Sequence, residues 1–304
     1  MISCPPVAFF VFNRPELTGR VLARIREAAP RMLFVVADGP RPNRPGEAEK
    51  CADVRRIVEA GIDWPCEVIR DYSPVNLGCA RRVSSGLDAV FSRVEEAIIL
   101  EDDCVPDPTF FRFCAELLAR YRDEPRVAQI AGCSSQDPQE IPGRSSYQFS
   151  RYPHCWGWAT WRRAWRHYDH EMTAWLKERD HSWLDRVLEH PAERKWWSDN
   201  FDATAAGKID SWAFRWTVTV WHNGWLGILP YRNLVSNLGF GPEATHTHGA
   251  DPAVSPPVSP MPFPLVHPAS FSRDARADEY SSRLRFRAPG IAQRLLRRLQ
   301  RLPL

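Results

Sequence analysis

The chain has 304 residues and 44 % hydrophobic content, enough for one large or two modest globular domains with a core. Its net charge of +3, with basic residues spread along most of the length, argues against a nucleic-acid partner. Eight cysteines, at positions 4, 51, 66, 79, 104, 114, 133 and 155, include no Cys-x-x-Cys pair, so they read as buried free thiols rather than a zinc site or a disulfide framework. No run approaches transmembrane length, and the first residues lack a basic segment and are interrupted by Pro5 and Pro6. A cytoplasmic protein is therefore expected.

From Val7 to Ala131 apolar runs alternate with helical periodicity. Strands are expected at Val7 to Phe12, Met32 to Ala37, Cys66 to Ile69, Ala97 to Leu100 and Val127 to Ala131. Helices are expected from Pro15, from Gly46, over Cys79 to Val94 and over Pro108 to Tyr121. Repeated β-α units of this length predict an α/β fold with a mostly parallel sheet flanked by helices.

The most informative stretch is IleIleLeuGluAspAsp, residues 98 to 103. An apolar strand without alternation, of the kind buried on both faces, ends there in three consecutive carboxylates. Ligands in open α/β sheets collect at the carboxyl ends of such strands, and a hard divalent cation held by one or two carboxylates can receive phosphate oxygens. The bland alternative is a solvated strand end whose aspartate caps the next helix.

Beyond Gly132 a polar loop leads into a region that holds twelve of the thirteen tryptophans, between Trp156 and Trp225. Trp158, Trp161 and Trp165 have the spacing of one helical face, as do Trp212 and Trp216; the rings suit either a core or a wall on which sugars stack. Residues 250 to 270 are proline-rich and read as an extended strap. Residues 282 to 304 carry seven arginines and no acid, with Ile291, Leu295, Leu296, Leu299 and Leu302 along one face. Such a helix docks either on anionic lipid or on its own domain or a partner chain.

Together, the acidic triplet after the fourth strand, the nucleotide-type first half and the aromatic second half resemble glycosyltransferases of the GT-A, Rossmann-like fold. More narrowly, they resemble bacterial relatives of the N-acetylglucosaminyltransferase I group, whose metal motif is Glu-Asp-Asp. The likeness spans residues 7 to 249. It implies a transferase domain over 1–249, with a nucleotide half at 1–131 and an acceptor half at 132–249, followed by the strap and basic helix of 250–304.

The resemblance also implies roles. PheAsnArgPro, residues 12 to 15, places Arg14 on the donor nucleotide, and ValValAlaAspGly, residues 35 to 39, places Asp38 on the uracil N-H of a UDP-sugar. AsnLeuGlyCysAlaArgArg, residues 76 to 82, is similar to a donor-side loop, in which Asn76 shapes the turn and Arg81 or Arg82 meets the diphosphate, Arg81 first. Glu101 and Asp102 would touch donor sugar and ribose, and Asp103 would bind Mn2+ or Mg2+. Trp158, in ProHisCysTrpGlyTrpAlaThrTrp, would wall the cleft. Asp210, in IleAspSerTrp, would be the catalytic base of an inverting transfer, with Asp199 and Asp202 as rivals. His246, with His248 in reserve, would complete the metal site. The implied partners are a nucleotide-sugar donor and a glycan or lipid-linked acceptor of surface polysaccharide assembly, with peripheral membrane contact through 282–304. Two other readings remain: a sugar nucleotidyltransferase, although PheAsnArgProGlu is no Gly-rich phosphate loop, and a non-catalytic carbohydrate-binding protein on the same fold.

Overall fold

The computed structural model describes residues 3–136, 145–178, 182–239 and 256–287. Its first half follows the expected alternation: β1 (Val7–Val11), α1 (Pro15–Ala28), β2 (Met32–Ala37), α2 (Glu47–Gly61), β3 (Glu67–Tyr72), α3 (Cys79–Arg93) and β4 (Glu96–Glu101). These strands lie in the order β3-β2-β1-β4 and every pairing is parallel. Helices provide the crossovers, so all four carboxyl ends open on one edge.

The chain continues through β5 (Cys104–Pro106), α4 (Thr109–Arg120), β6 (Val127–Ala131), β7 (Tyr147–Ser150) and β8 (Trp158–Trp161). Five helices follow, α5 (Arg162–Trp165), α6 (Thr173–Lys177), α7 (Ser182–Val187), α8 (Pro191–Ala205) and α9 (Trp212–His222), then β9 (Leu226–Pro230), β10 (Val235–Asn237) and α10 (Ala275–Arg285). The sheet extends to eight strands in the order β3-β2-β1-β4-β8-β6-β9-β7, and β10 pairs separately with β5. β8 runs antiparallel to both neighbours and β7 is antiparallel to β9, whereas β6 and β9 are parallel. The fold is thus α/β, with a mostly parallel central sheet flanked by helices.

Trp158 and Trp161 are strand residues, not members of one helical face. In β8 they stand on opposite sides of the sheet, because side chains alternate and the two are an odd number of residues apart. Trp161 joins the core under α1 and α4, while Trp158 and Trp165 join the aromatic core under α3 and α9. Trp212 and Trp216 do share a face of α9, and both are buried there.

The described part of the C-terminal segment is integral to this packing. Met261 and Leu265 are core residues, the Met261 N-H donates to Thr109 Oγ1 at 2.9 Å, and Arg273 bridges to Phe149 of β7. In α10, buried Asp278 accepts from Ser150, and Ser282 donates to buried Glu193 at 2.6 Å. Residues 256–287 thus pack on the rest of the described chain. Arg285 donates to Ser135 Oγ and Arg287 pairs with Glu279, so the beginning of the basic stretch rests on its own domain. The apolar positions from Ile291 to Leu302 lie outside the described residues. Among the described residues no helix is long and apolar enough to cross a membrane.

Candidate active site

At the carboxyl edge of β1, β2 and β4 lies a cavity of about 270 Å³. Phe10, Phe12, Val36 and Val83 form its apolar sides, while Arg14, Asp38, Asn76, Arg82, Glu101, Asp102 and Asp210 supply polar groups. Residues far apart in sequence meet here because β2 and β4 flank β1, so the loops after them face each other.

The acidic triplet closes one end. Asp102 accepts from the Phe12 N-H at 3.1 Å and from Arg14 Nη1 at 3.2 Å, and the same guanidinium nitrogen donates to Asp103 Oδ2 at 2.7 Å. One cation therefore faces three carboxylates. Burial, reinforced by Asp103 and Asp102, pushes the Glu101 carboxyl up to about 8. Burial and neighbouring Asp103 push Asp102 up to about 7. Asp103 is pinned from behind: its carbonyl accepts from the Leu238 N-H at 2.8 Å. A Cβ on Gly239, just past β10, would sit 2.1 Å from Asp103 Oδ2, so a larger residue there would displace the Asp103 carboxylate.

Among the described residues no group of three or more His, Cys, Asp or Glu side chains forms a metal cage. The triplet nonetheless suits a hard cation. Mg2+-type ions are held by one or two carboxylates, with phosphate and water in the other positions. A divalent ion there would favour the ionised forms that burial and mutual repulsion otherwise disfavour.

Asp38 has a different task from the one expected. Its Oδ1 accepts from the Gly39 and Leu77 N-H groups, each at 2.9 Å. Its Oδ2 accepts from Asn76 Nδ2 at 3.0 Å and from the Gly78 N-H at 3.2 Å. A carboxylate has about four acceptor positions. All are used within the protein, so Asp38 ties the loop after β2 to the loop before α3 and has no lone pair to offer a base.

Asp210 reaches across the cavity mouth and accepts from the Cys79 N-H at 2.7 Å and the Ala80 N-H at 3.0 Å. It caps α3 rather than its own helix, and Gly78 leaves room for it: a Cβ there would lie 2.6 Å from Asp210 Oδ2. Each oxygen keeps a further acceptor position toward solvent. Its rivals stand elsewhere, Asp199 paired with Lys195 on the surface and Asp202 accepting from Trp175 Nε1 at 3.1 Å.

Two expected positions move. Arg81 is exposed and outside the cavity, whereas Arg82 lines it, 6 % exposed. Trp158 is 1 % exposed and stacked on Trp212 with ring centroids 5.2 Å apart, so it belongs to the core beneath the site and not to the cavity wall. His246 and His248 lie outside the described residues. The sequence reading also missed Arg41, which lines the cavity over the Phe12 ring and is anchored by buried Glu47. Gly86, one turn further along α3 from Arg82, would clash with Val36 and Phe10 if it carried a Cβ, so this face of the helix is turned to the sheet.

No family model and no curated protein matches this chain. Among solved structures, it is similar to mouse xyloside xylosyltransferase 1 in its apo form, at 13 % identity and TM-score 0.36, covering 72 % of this chain and 83 % of that one. It is similar to a UDP-glucose pyrophosphorylase complexed with UDP-glucose at 9 % identity and TM-score 0.30, covering 53 % and 70 %. It is also similar to the inositol-1-phosphate CTP transferase from T. maritima at 12 % identity and TM-score 0.30, covering 52 % and 72 %.

Proposed function

We propose that this chain is a metal-dependent glycosyltransferase that moves a sugar, with inversion, from a UDP-sugar to a glycan or lipid-linked acceptor of surface polysaccharide assembly. The observation that carries the reading is the Glu101-Asp102-Asp103 cluster, with Asp102 buried and one internal cation against it, at the rim of a cavity on the carboxyl edge of a parallel sheet. Such a cluster is costly unless a cationic ligand uses it.

Asp103, with Asp102, would hold Mn2+ or Mg2+, which as a Lewis acid would neutralise the departing diphosphate. Arg14 and Arg82 bring further positive charge to the same cavity. The acceptor hydroxyl attacks the anomeric carbon as the bond to the diphosphate oxygen breaks. Asp210 takes the hydroxyl proton on a carboxylate oxygen already oriented by the Cys79 and Ala80 N-H groups.

The test is calorimetric titration of UDP into the chain, with and without manganese, and into Asp103→Ala. Manganese-dependent binding lost in the variant is expected. The absence of binding by UDP and by every other nucleoside diphosphate would make the triplet a structural strand end and end the transferase reading.

A further inference from the structure

With Asp38 saturated, the base end of the proposed donor site needs another reader. Asn76 lines the cavity next to it, and its amide is held in one orientation. Nδ2 donates to Asp38 Oδ2 and to the Gly39 carbonyl, both at 3.0 Å. Both partners are acceptors only, so the nitrogen must face them and Oδ1 must point the other way. Among the described residues no group donates to that oxygen. A Cβ on Gly39 would lie 2.5 Å from the Val75 backbone, so the segments carrying Asp38 and Asn76 are in close contact.

Arg82 lines the same cavity and is also held. Its Nη2 donates to the Asp71 carbonyl and pairs with the Asp71 carboxylate, both at 2.7 Å, while its buried Nε-H has no partner. That nitrogen is shielded from the cavity, so Arg82 shapes the wall and offers a ligand nothing through Nε. This end of the cavity thus offers one fixed acceptor, Asn76 Oδ1, between the apolar faces of Phe10, Phe12, Val36 and Val83. It lies two strand spacings from the acidic triplet, roughly 10 Å, leaving room for a ribose between base and diphosphate.

Resting on the donor-site reading above, we propose that Asn76 Oδ1 selects a uracil base by accepting its N3-H, and that Asp38 orients Asn76 without touching the base. Cytosine and adenine reverse this pattern. Each presents a ring-nitrogen lone pair to Asn76 Oδ1, so both are rejected by lone-pair repulsion and by the loss of the N-H that this oxygen needs. Guanine shares the donor-acceptor order of uracil but brings a second ring.

The experiment is calorimetry with manganese on the full chain, comparing UDP with CDP, GDP and UDP methylated at N3, for wild type and Asn76→Ala. Wild type is expected to bind UDP ten- to a hundredfold more tightly than either CDP or the N3-methyl analogue, the range an unmet buried hydrogen bond imposes. In Asn76→Ala the preference for UDP over N3-methyl UDP should shrink to within about threefold. The wild-type comparison needs no variant to fold: equal binding of UDP and its N3-methyl form overturns the proposal by itself. A folded Asn76→Ala that keeps the full preference removes Asn76 as reader, and tighter binding of GDP replaces uracil by guanine. Failure of all nucleoside diphosphates to bind would instead overturn the donor-site reading itself.

Discussion

Arg14 Nη1 bridges Asp103 Oδ2 at 2.7 Å and Asp102 Oδ1 at 3.2 Å, so a side chain from the end of β1 acts as the internal counter-cation of the acidic cluster. It is partly accessible, which lets a ligand phosphate compete for it. In Arg14→Gln three carboxylates crowd together with no cation. Removing one partner of a buried ion pair costs about 3 kcal/mol or more, and partial exposure lessens that here. The expected outcome is a lower melting temperature in chelator and a larger manganese-induced rise than wild type shows, measured by thermal unfolding with and without metal. An equal rise in both proteins would mean that Arg14 and the cation do not share the same carboxylates.

Asp38 joins two loops through four donors, three of them backbone N-H groups. Asp38→Ala leaves several backbone N-H groups unpaired, and a loss of about 3 kcal/mol in urea unfolding is expected. Asp38→Asn should also be unstable, because its amide nitrogen would be turned on an N-H group. A stable Asp38→Asn with an altered base preference would restore Asp38 as the group that reads the base.

The parallel half was legible in the sequence because its signals are local. Strands buried on both faces appear as unbroken apolar runs, and α1, α3 and α4 bury amphipathic stripes; β2 and β6 have the bounds expected of them. β7 and β8 were not legible. Each is four residues long, and the Trp158-Trp161-Trp165 spacing imitates a helix, while what makes β8 a strand is pairing with β4 and β6, a long-range interaction. At the site, the sequence marked Arg14, Asp38, Asn76, the triplet and Asp210, which the fold does bring together. It could not assign Asp38, because the partners that consume its lone pairs lie 38 to 40 residues away. The choice of Arg81 over Arg82 failed for a smaller reason. Adjacent helix positions differ by roughly 100° about the axis, so the correct arginine depends on which face meets the sheet.

Asp210 combines two duties that a pair of substitutions separates. Asp210→Ala removes the cap of α3 from across the chain, with an expected cost of about 1 kcal/mol. Asp210→Asn keeps one acceptor oxygen for the helix terminus but has no carboxylate to take a proton. Transfer should therefore fall at least a hundredfold in Asp210→Asn while UDP binding is retained, read from product formation beside calorimetry. Normal transfer by Asp210→Asn would reduce the residue to a cap.

The last prediction concerns the C-terminal helix and pH. Asp278 of α10 is 1 % exposed, and burial pushes its carboxyl up to about 6 from an ordinary 3.8, although Ser150 Oγ, the Arg151 N-H and the Arg151 guanidinium all donate to it. The folded protein therefore holds a proton there that the unfolded chain has released, over the window from about 3.8 to about 6. In that window the folded state binds more protons than the unfolded state, so this group lowers stability as pH rises and restores it as pH falls. The full swing is on the order of 3 kcal/mol. Asp278→Asn cannot titrate, so the stability of wild type minus that of the variant isolates the effect. That difference should move in favour of wild type as urea unfolding is repeated from pH 6.5 down to pH 4, whereas a difference moving toward the variant would mean that Ser150 and Arg151 outweigh burial and keep Asp278 ionised.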